Sequence, residues 1–77
     1  MTKYRAAIAG CGPRGKIHAH GFRENRGRFD LVAACDVRQD RLDEFASLYP
    51  GTRLYADAEA MLAAERPDVF CFCTQPN

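Results

Sequence analysis

Three glycines stand between a short apolar run and a segment with helical character, in the sequence GCGPRG. Gly10, Gly12 and Gly15 have the spacing G-x-G-x-x-G. Glycine allows a chain to turn tightly out of a strand, because it has no β-carbon. The run before the turn, YRAAIA at residues 4–9, is typical of a short buried strand. The pattern therefore predicts a strand, a glycine turn and a helix that follow one another directly.

The rest of the chain alternates between apolar runs and amphipathic segments. We expect strands at residues 4–9, 30–36, 53–55 and 68–74, and helices at residues 13–25, 39–49 and from the capping residue Asp57 to Pro67. The strands lack polar alternation, which indicates a sheet covered on both faces. The order β-α-β-α-β-α-β predicts an α/β fold with a doubly wound parallel sheet and right-handed crossovers.

Composition and charge exclude several classes of function. The formal net charge of the 77 residues is +1 and the basic residues are interleaved with acids, so we expect no nucleic-acid partner. No apolar run approaches the roughly 20 residues that span a bilayer, and the N-terminus lacks the apolar core of a signal peptide. We therefore expect no membrane partner and a cytoplasmic location. The four cysteines are predicted to be buried free thiols: Cys11, Cys35, Cys71 and Cys73.

An acidic residue completes the glycine pattern. Asp36 follows the second strand-like run, 21 positions after Gly15. In dinucleotide-binding folds an acid at this place accepts hydrogen bonds from the hydroxyls of the adenosine ribose. Gly12 then lets the backbone approach a pyrophosphate, and the N–H groups of the following helix attract the phosphates. These features together favour a dinucleotide site over a glycine turn without a ligand.

Three neighbouring residues modify this site. Pro13 suits the first helical position, but it has no N–H, so the other N–H groups of the turn must serve the phosphates. Arg14 is placed either to add a positive charge near the phosphates or to remain solvated. Arg38 is placed to contact a 2′-phosphate, to stack on adenine, or to lie on the surface where the second helix begins. Because Asp36 repels a 2′-phosphate, we predict NAD as the cofactor, with NADP as the alternative.

Two histidines lie on the predicted first helix. His18 and His20 are two positions apart, so they face different directions and cannot share a metal ion. We expect His20 to be exposed and His18 to pack against the protein. No residue within the chain is assigned as catalytic or as a metal ligand.

The sequence resembles the N-terminal part of the Gfo/Idh/MocA oxidoreductases, a family that includes glucose–fructose oxidoreductase and inositol dehydrogenases. The resemblance runs through the whole chain. It depends on G-x-G-x-x-G-x-x-H, on the acid after the second strand, on Y-x-D before the third helix and on T-x-P after the fourth strand. The residues concerned are Gly10, Gly12, Gly15, His18, Asp36, Tyr55, Asp57, Thr74 and Pro76.

This resemblance implies an NAD(P)-binding domain of Rossmann type, here a partial doubly wound parallel sheet with strand order 3-2-1-4. It also implies a following substrate domain, and hydride transfer between the nicotinamide and a sugar or polyol. It implies that Thr74, Pro76 and Asn77 approach the ribose on the nicotinamide side. It also implies that a Glu-Lys-Pro segment with the catalytic lysine lies beyond Asn77. We therefore expect residues 1–77 to be the N-terminal part of a dinucleotide-binding domain, inactive alone, in a parent enzyme that is a homo-oligomer.

Two other interpretations remain open. One is a dinucleotide-binding sensor module without enzymatic activity, which the short length of the chain disfavours. The other is a glycine turn that serves an S-adenosylmethionine-dependent methyltransferase or a flavoprotein. The proline after the fourth strand and the position of His18 favour the oxidoreductase family.

Overall fold

The computed structural model describes residues 3–73 and has a four-stranded parallel sheet at its centre. The elements are β1 (Tyr4–Ala9), α1 (Pro13–Glu24), β2 (Phe29–Cys35), α2 (Gln39–Leu48), β3 (Arg53–Tyr55), α3 (Ala58–Glu65) and β4 (Val69–Phe72). The strand order is β3-β2-β1-β4 and every neighbouring pair is parallel. The predicted partial Rossmann-type sheet, with its order 3-2-1-4, is confirmed.

The boundaries of the elements differ from the prediction by one or two residues. Strand β2 ends at Cys35, so Asp36 lies just past the strand instead of inside it. Helix α2 ends one residue early, because Tyr49 leaves helical geometry and becomes the C-cap. Asp57 caps α3 as expected, since its side chain accepts a hydrogen bond from the N–H of Ala60 at 3.0 Å.

Helices pack on both faces of the sheet. Ile8 of β1 points to the face that is covered by Ala19 of α1 and by Leu42 and Phe45 of α2. The neighbouring positions of β1 point to the opposite face, where Met61 of α3 packs on them. Because alternate residues of a strand face opposite sides, one apolar strand serves both layers.

A bulge interrupts the pairing of the two central strands. Ala6 pairs with Leu31, but the next residue, Ala7, pairs with Ala33, which leaves Val32 as an additional residue in β2. Val32 and Ala33 therefore contribute to the same buried layer although they are adjacent in the sequence.

Strand β4 lies at one edge of the described sheet and is only partly covered. Phe70 and Phe72 are 37% and 66% exposed, whereas the central strands are buried on both faces. The expectation that the sheet is covered on both faces is thus correct for β1 and β2 and wrong for β4. Cys71 packs against the cluster that α1 and α2 cover, so Phe70 and Phe72 face the other side of the sheet, where α3 packs on β2 and β3.

Helix α1 contacts the sheet along a narrow stripe. Its buried residues are Gly15 and Ala19. His18 lies outside this stripe and is exposed, so the expected packing of His18 is wrong. His20 is exposed as predicted and lies 3.2 Å from the carboxylate of Glu24. None of the helices in residues 3–73 combines the length and the apolar character that crossing a bilayer requires.

Candidate functional site

A cleft of about 530 Å³ opens at the carboxyl ends of the strands. Its walls come from the ends of β1, β2 and β4, from the beginning of α2 and from the turn before α3. They include Gly10, Asp36, Arg38, Arg41, Asp57 and Phe72. In open parallel sheets, ligands bind at this edge, near the point where the strand order reverses. The volume lies within the usual range for small-molecule sites, about 300–1,000 Å³.

The glycine turn joins β1 to α1 by a close approach of backbone to backbone. Gly10 has φ 105°, a conformation that favours glycine, and its N–H donates to the carbonyl of Cys35 at 2.8 Å. A β-carbon on Gly15 would overlap the carbonyl oxygen of Gly10 and would lie 2.9 Å from the carbonyl carbon of the same residue. The helix can therefore begin directly over the end of β1 only if residue 15 is glycine.

The N-terminus of α1 has the donors that suit an anion. Gly12 is the N-cap and offers no side-chain acceptor, Pro13 is the first helical residue, and the first turn contains no acid. The N–H groups of Arg14 and Gly15 have no acceptor within the helix because they belong to its first turn. The positive end of the helix dipole and these donors together suit a phosphate.

Asp36 connects this turn to the beginning of α2. Its Oδ2 accepts the N–H of Cys11 at 2.8 Å, and its Oδ1 accepts the N–H of Arg38 at 2.9 Å. The side chain is 6% exposed. A carboxylate has about four acceptor positions, so two remain for further donors such as ribose hydroxyls. The structural role of Asp36 is not evident from the sequence, because its two N–H partners belong to different loops.

Arg41 is a residue of the site that the sequence analysis missed. It lies in the first turn of α2, and its Nη1 is 4.0 Å from Oδ2 of Asp36. A β-carbon on Gly12 would lie 3.0 Å from the same Nη1, so the guanidinium group covers the face of Gly12. The feature of the sequence that could have identified Arg41 is its position one helical turn after Arg38, at the start of the helix that follows Asp36.

Arg38 lines the cleft, but its charged group is engaged by a neighbour. Its Nε and Nη2 donate to the two carboxylate oxygens of Asp40 at 3.1 and 2.7 Å. These hydrogen bonds raise the pKa of Arg38 and lower the pKa of Asp40. The pair is exposed, and its two charges cancel.

Two buried thiols beside the site, those of Cys11 and Cys35, are held in the protonated form. Burial, together with the negative charge of Asp36, raises the pKa of Cys11 to about 12. Burial also raises the pKa of Cys35, again with Asp36 adding to the effect. Both cysteines are free. Because a thiolate is the nucleophilic form, neither residue is suited to nucleophilic catalysis near neutral pH.

The remaining residues that the sequence singled out do not line the cleft or lie outside the described residues. Arg14 is exposed on α1, and its positive charge acts on the thiol of Cys73, whose pKa is nevertheless raised by burial. Tyr55 faces α3, where its hydroxyl donates to Glu65. Thr74, Pro76 and Asn77 lie outside the described residues, so their predicted contact with the cofactor stays a prediction.

The fold and the site together define a Rossmann-type nucleotide-binding domain, since a glycine turn and an acid meet above the ends of parallel strands. Residues 4–77 match the profile of GFO_IDH_MocA, described as an oxidoreductase family with an NAD-binding Rossmann fold. The chain therefore belongs to the Gfo/Idh/MocA oxidoreductase family, which confirms the resemblance.

Two curated relatives are sugar dehydrogenases. D-apiose dehydrogenase of Paraburkholderia graminis is 38% identical over 68 residues, which are 88% of this chain and 18% of the relative. D-glucoside 3-dehydrogenase of Escherichia coli is 38% identical over 74 residues, which are 95% of this chain and 20% of the relative. The chain thus spans about a fifth of the length of these relatives.

Solved structures show the same arrangement. The WlbA dehydrogenase of Bordetella pertussis, in complex with NADH and UDP-GlcNAcA, has a TM-score of 0.88 at 27% identity, over 96% of this chain and 22% of its own. The scyllo-inositol dehydrogenase of Lactobacillus casei, with bound NAD(H) and scyllo-inositol, has a TM-score of 0.81 at 25% identity, over the same shares of the two chains.

Proposed function

We propose that this chain binds NAD and is the cofactor-binding part of a larger dehydrogenase that acts on a sugar or polyol. The observation that carries the proposal is the contact between Asp36 and the glycine turn, where Oδ2 accepts the N–H of Cys11 at 2.8 Å. This hydrogen bond holds the acceptor for a ribose beside the turn that receives a pyrophosphate.

The residues of the cleft fit a dinucleotide. The N–H groups at the start of α1 would hold the pyrophosphate. Gly12 has no side chain of its own, and the group that lies against its face is the guanidinium of Arg41. The remaining acceptor positions of Asp36 would bind the hydroxyls of the adenosine ribose. A bound nicotinamide supplies hydride transfer, while the residues of this chain bind and orient the cofactor.

The proposed cofactor follows from the charge of Asp36, and the proposed substrate class follows from the relatives of the chain. Asp36 favours NAD because a carboxylate repels the 2′-phosphate of NADP. The relatives named above act on D-apiose and D-glucosides, and the similar structures hold NADH or NAD(H) with a sugar nucleotide or an inositol. A carbinol carbon of a sugar or cyclitol is therefore the proposed hydride donor.

The location and the assembly of the parent enzyme remain predictions. The free thiols of Cys11 and Cys35 suit a reducing compartment, which supports the cytoplasm as the proposed location. A homo-oligomeric parent enzyme stays a prediction.

The test of cofactor binding is a fluorescence titration of the complete protein with NADH. We expect Asp36→Asn to weaken the binding of NADH about 10-fold or more, because a hydrogen bond to a charged group contributes about 1.5–3 kcal/mol. Asp30→Asn is the matched control, since Asp30 is exposed and lies near the beginning of β2, at the opposite end of the strand that Asp36 follows. It should leave the affinity unchanged.

A second variant separates binding from folding. Gly12 has φ −79°, so Gly12→Ala places no strain on the backbone, but the added methyl group occupies the face of the turn. It should weaken NADH binding while the midpoint of thermal unfolding is preserved. An absence of NADH binding by the natural protein, or equal affinities in all variants, would overturn the proposed cofactor site.

The test of the substrate class is the formation of NADH when the complete protein is given NAD⁺ with D-apiose, a D-glucoside or an inositol. We expect NADH to form with a member of this panel. A protein that binds NADH but oxidises none of these polyols would contradict the substrate class and leave the cofactor site intact.

A further inference from the structure

We propose that Tyr55 is a positioning residue of the cleft: its hydroxyl group, held by the buried carboxylate of Glu65, fixes the end of β3 against which Asp36 lies. This inference rests on the proposed function, since it assumes that a dinucleotide binds in the cleft. Tyr55 does not itself line the cleft, so it acts through the residues that do.

The main chain of Tyr55 holds the backbone of Asp36. The carbonyl of Tyr55 accepts the N–H of Asp36 at 3.1 Å, directly after the last residue pair of β2 and β3. Residues 56–58, which follow Tyr55 in the chain, all line the cleft. A displacement of Tyr55 therefore shifts both the residue that is proposed to bind the ribose and the wall beside it.

Strand β3 depends on side-chain contacts for its position. It has three residues, and in the described part of the chain it pairs with β2 alone. The central strand β1, in contrast, has six residues and is paired on both sides. Because few backbone hydrogen bonds hold a short edge strand, the contacts of its side chains decide how firmly it is placed.

The carboxylate of Glu65 provides such a contact for the end of β3. It is buried between α3 and the sheet, and its Oε2 accepts the hydroxyl of Tyr55 at 2.5 Å. Its Oε1 accepts from Arg5 at 2.9 Å, which ties the carboxylate to the central strand β1. The hydrogen bond to Glu65 raises the pKa of Tyr55, so the hydroxyl stays protonated and continues to donate near neutral pH.

Arg53 binds the same carboxylate from the other end of β3. Its Nε and Nη2 donate to the two oxygens of Glu65, each at 2.6 Å. Arg53 is the first residue of the strand, whereas Tyr55 is the last and lies next to Asp36. Both residues stabilise the contact between β3 and α3, but Tyr55 is the one that connects the carboxylate to the cleft.

The experiment measures the dissociation constant of NADH for the complete protein by fluorescence titration, together with the midpoint of thermal unfolding. Tyr55→Phe removes only the hydroxyl and should weaken NADH binding about 3-fold or more. Arg53→Gln is the matched control, since it removes two hydrogen bonds to the same carboxylate. It should lower the midpoint at least as much as Tyr55→Phe but change NADH binding less than about 2-fold.

A combined variant distinguishes positioning from a general loss of stability. If Tyr55 acts through Asp36, adding Tyr55→Phe to Asp36→Asn should weaken NADH binding by less than about 2-fold, whereas independent effects would multiply. The inference fails if Tyr55→Phe leaves the affinity unchanged, if Arg53→Gln weakens binding equally, or if Tyr55→Phe has its full effect in the Asp36→Asn protein. An absence of NADH binding by the natural protein would instead overturn the proposed function, and this inference with it.

Discussion

The motif contains three glycines, each required for a different physical reason: Gly10, Gly12 and Gly15. Gly10 has φ 105°, which side chains disfavour. Gly12 has ordinary backbone geometry, and its missing side chain leaves space beneath the guanidinium group of Arg41. Gly15 allows the helix to approach the carbonyl of Gly10. Gly10 is therefore required by the backbone conformation, Gly12 by the surface that faces a ligand, and Gly15 by the packing of the helix.

The close contact at Gly15 predicts that alanine substitutions of two glycines in α1 change the free energy of unfolding in opposite directions. Gly15→Ala should lower the free energy of unfolding by about 1–3 kcal/mol or more, because the methyl group overlaps rigid backbone. Gly21→Ala, with no atom within 4 Å of the added carbon, should raise it by about 0.5–1 kcal/mol through helix propensity. Thermal or urea unfolding of the two variants measures the difference. Similar effects of the two substitutions would refute a close contact at Gly15.

The sequence identifies the glycines and Asp36 but not Arg41. Glycine spacing and a following acid have a fixed relation to a strand–turn–helix unit, so position in the chain is informative for them. An arginine in a helix has no such signal, because exposed arginines are common. The role of Arg41 depends on how α2 is oriented over the turn before α1, which is a tertiary relation.

At the scale of elements, a cluster of charged groups fixes α3 to the sheet. Glu65, the last residue of α3, is 5% exposed. Its Oε1 accepts from Arg5 of β1 at 2.9 Å and from Arg53 of β3 at 2.6 Å, and its Oε2 accepts from the hydroxyl of Tyr55 at 2.5 Å. Three separate elements thus depend on one carboxylate. The sequence does not predict this cluster, because Arg5 and Glu65 are 60 residues apart.

This cluster predicts a dependence of stability on acid pH. Hydrogen bonds from Arg53, with those of Tyr55 and the charge of Arg5, lower the pKa of Glu65 from its ordinary value of 4.5 to about 2. The charged form is favoured in the folded state, so its stabilisation is complete above pH 4.5 and is lost as the pH falls toward 2. Thermal unfolding midpoints of the complete protein between these pH values measure the loss.

The matched variants are Glu65→Gln and Glu59→Gln. Glu65→Gln should lower the midpoint at neutral pH and flatten its decline between pH 4.5 and 2. Glu59 lies on the same helix and is exposed, so Glu59→Gln should retain the decline. Parallel curves for the natural protein and Glu65→Gln would contradict the account of this cluster.

For the whole molecule, the arrangement of the strands places the cleft. The order β3-β2-β1-β4 brings the turn after β1 next to the acid after β2, and it places β4 beside β1. Alternation of apolar runs and helices predicts the parallel sheet, whereas the strand order follows from the resemblance to a Rossmann-type domain. Hydropathy could not predict the exposure of Phe72, because burial at an edge depends on which neighbours pack there.

We propose that the cleft binds the adenosine half of NAD between the glycine turn and Asp36. A crystal structure of the complete protein with NADH tests it most directly. We expect the adenosine ribose hydroxyls to lie about 3 Å from the carboxylate of Asp36 and the pyrophosphate to lie against the N-terminus of α1. A ribose bound away from Asp36, or a pyrophosphate at another helix, would contradict it.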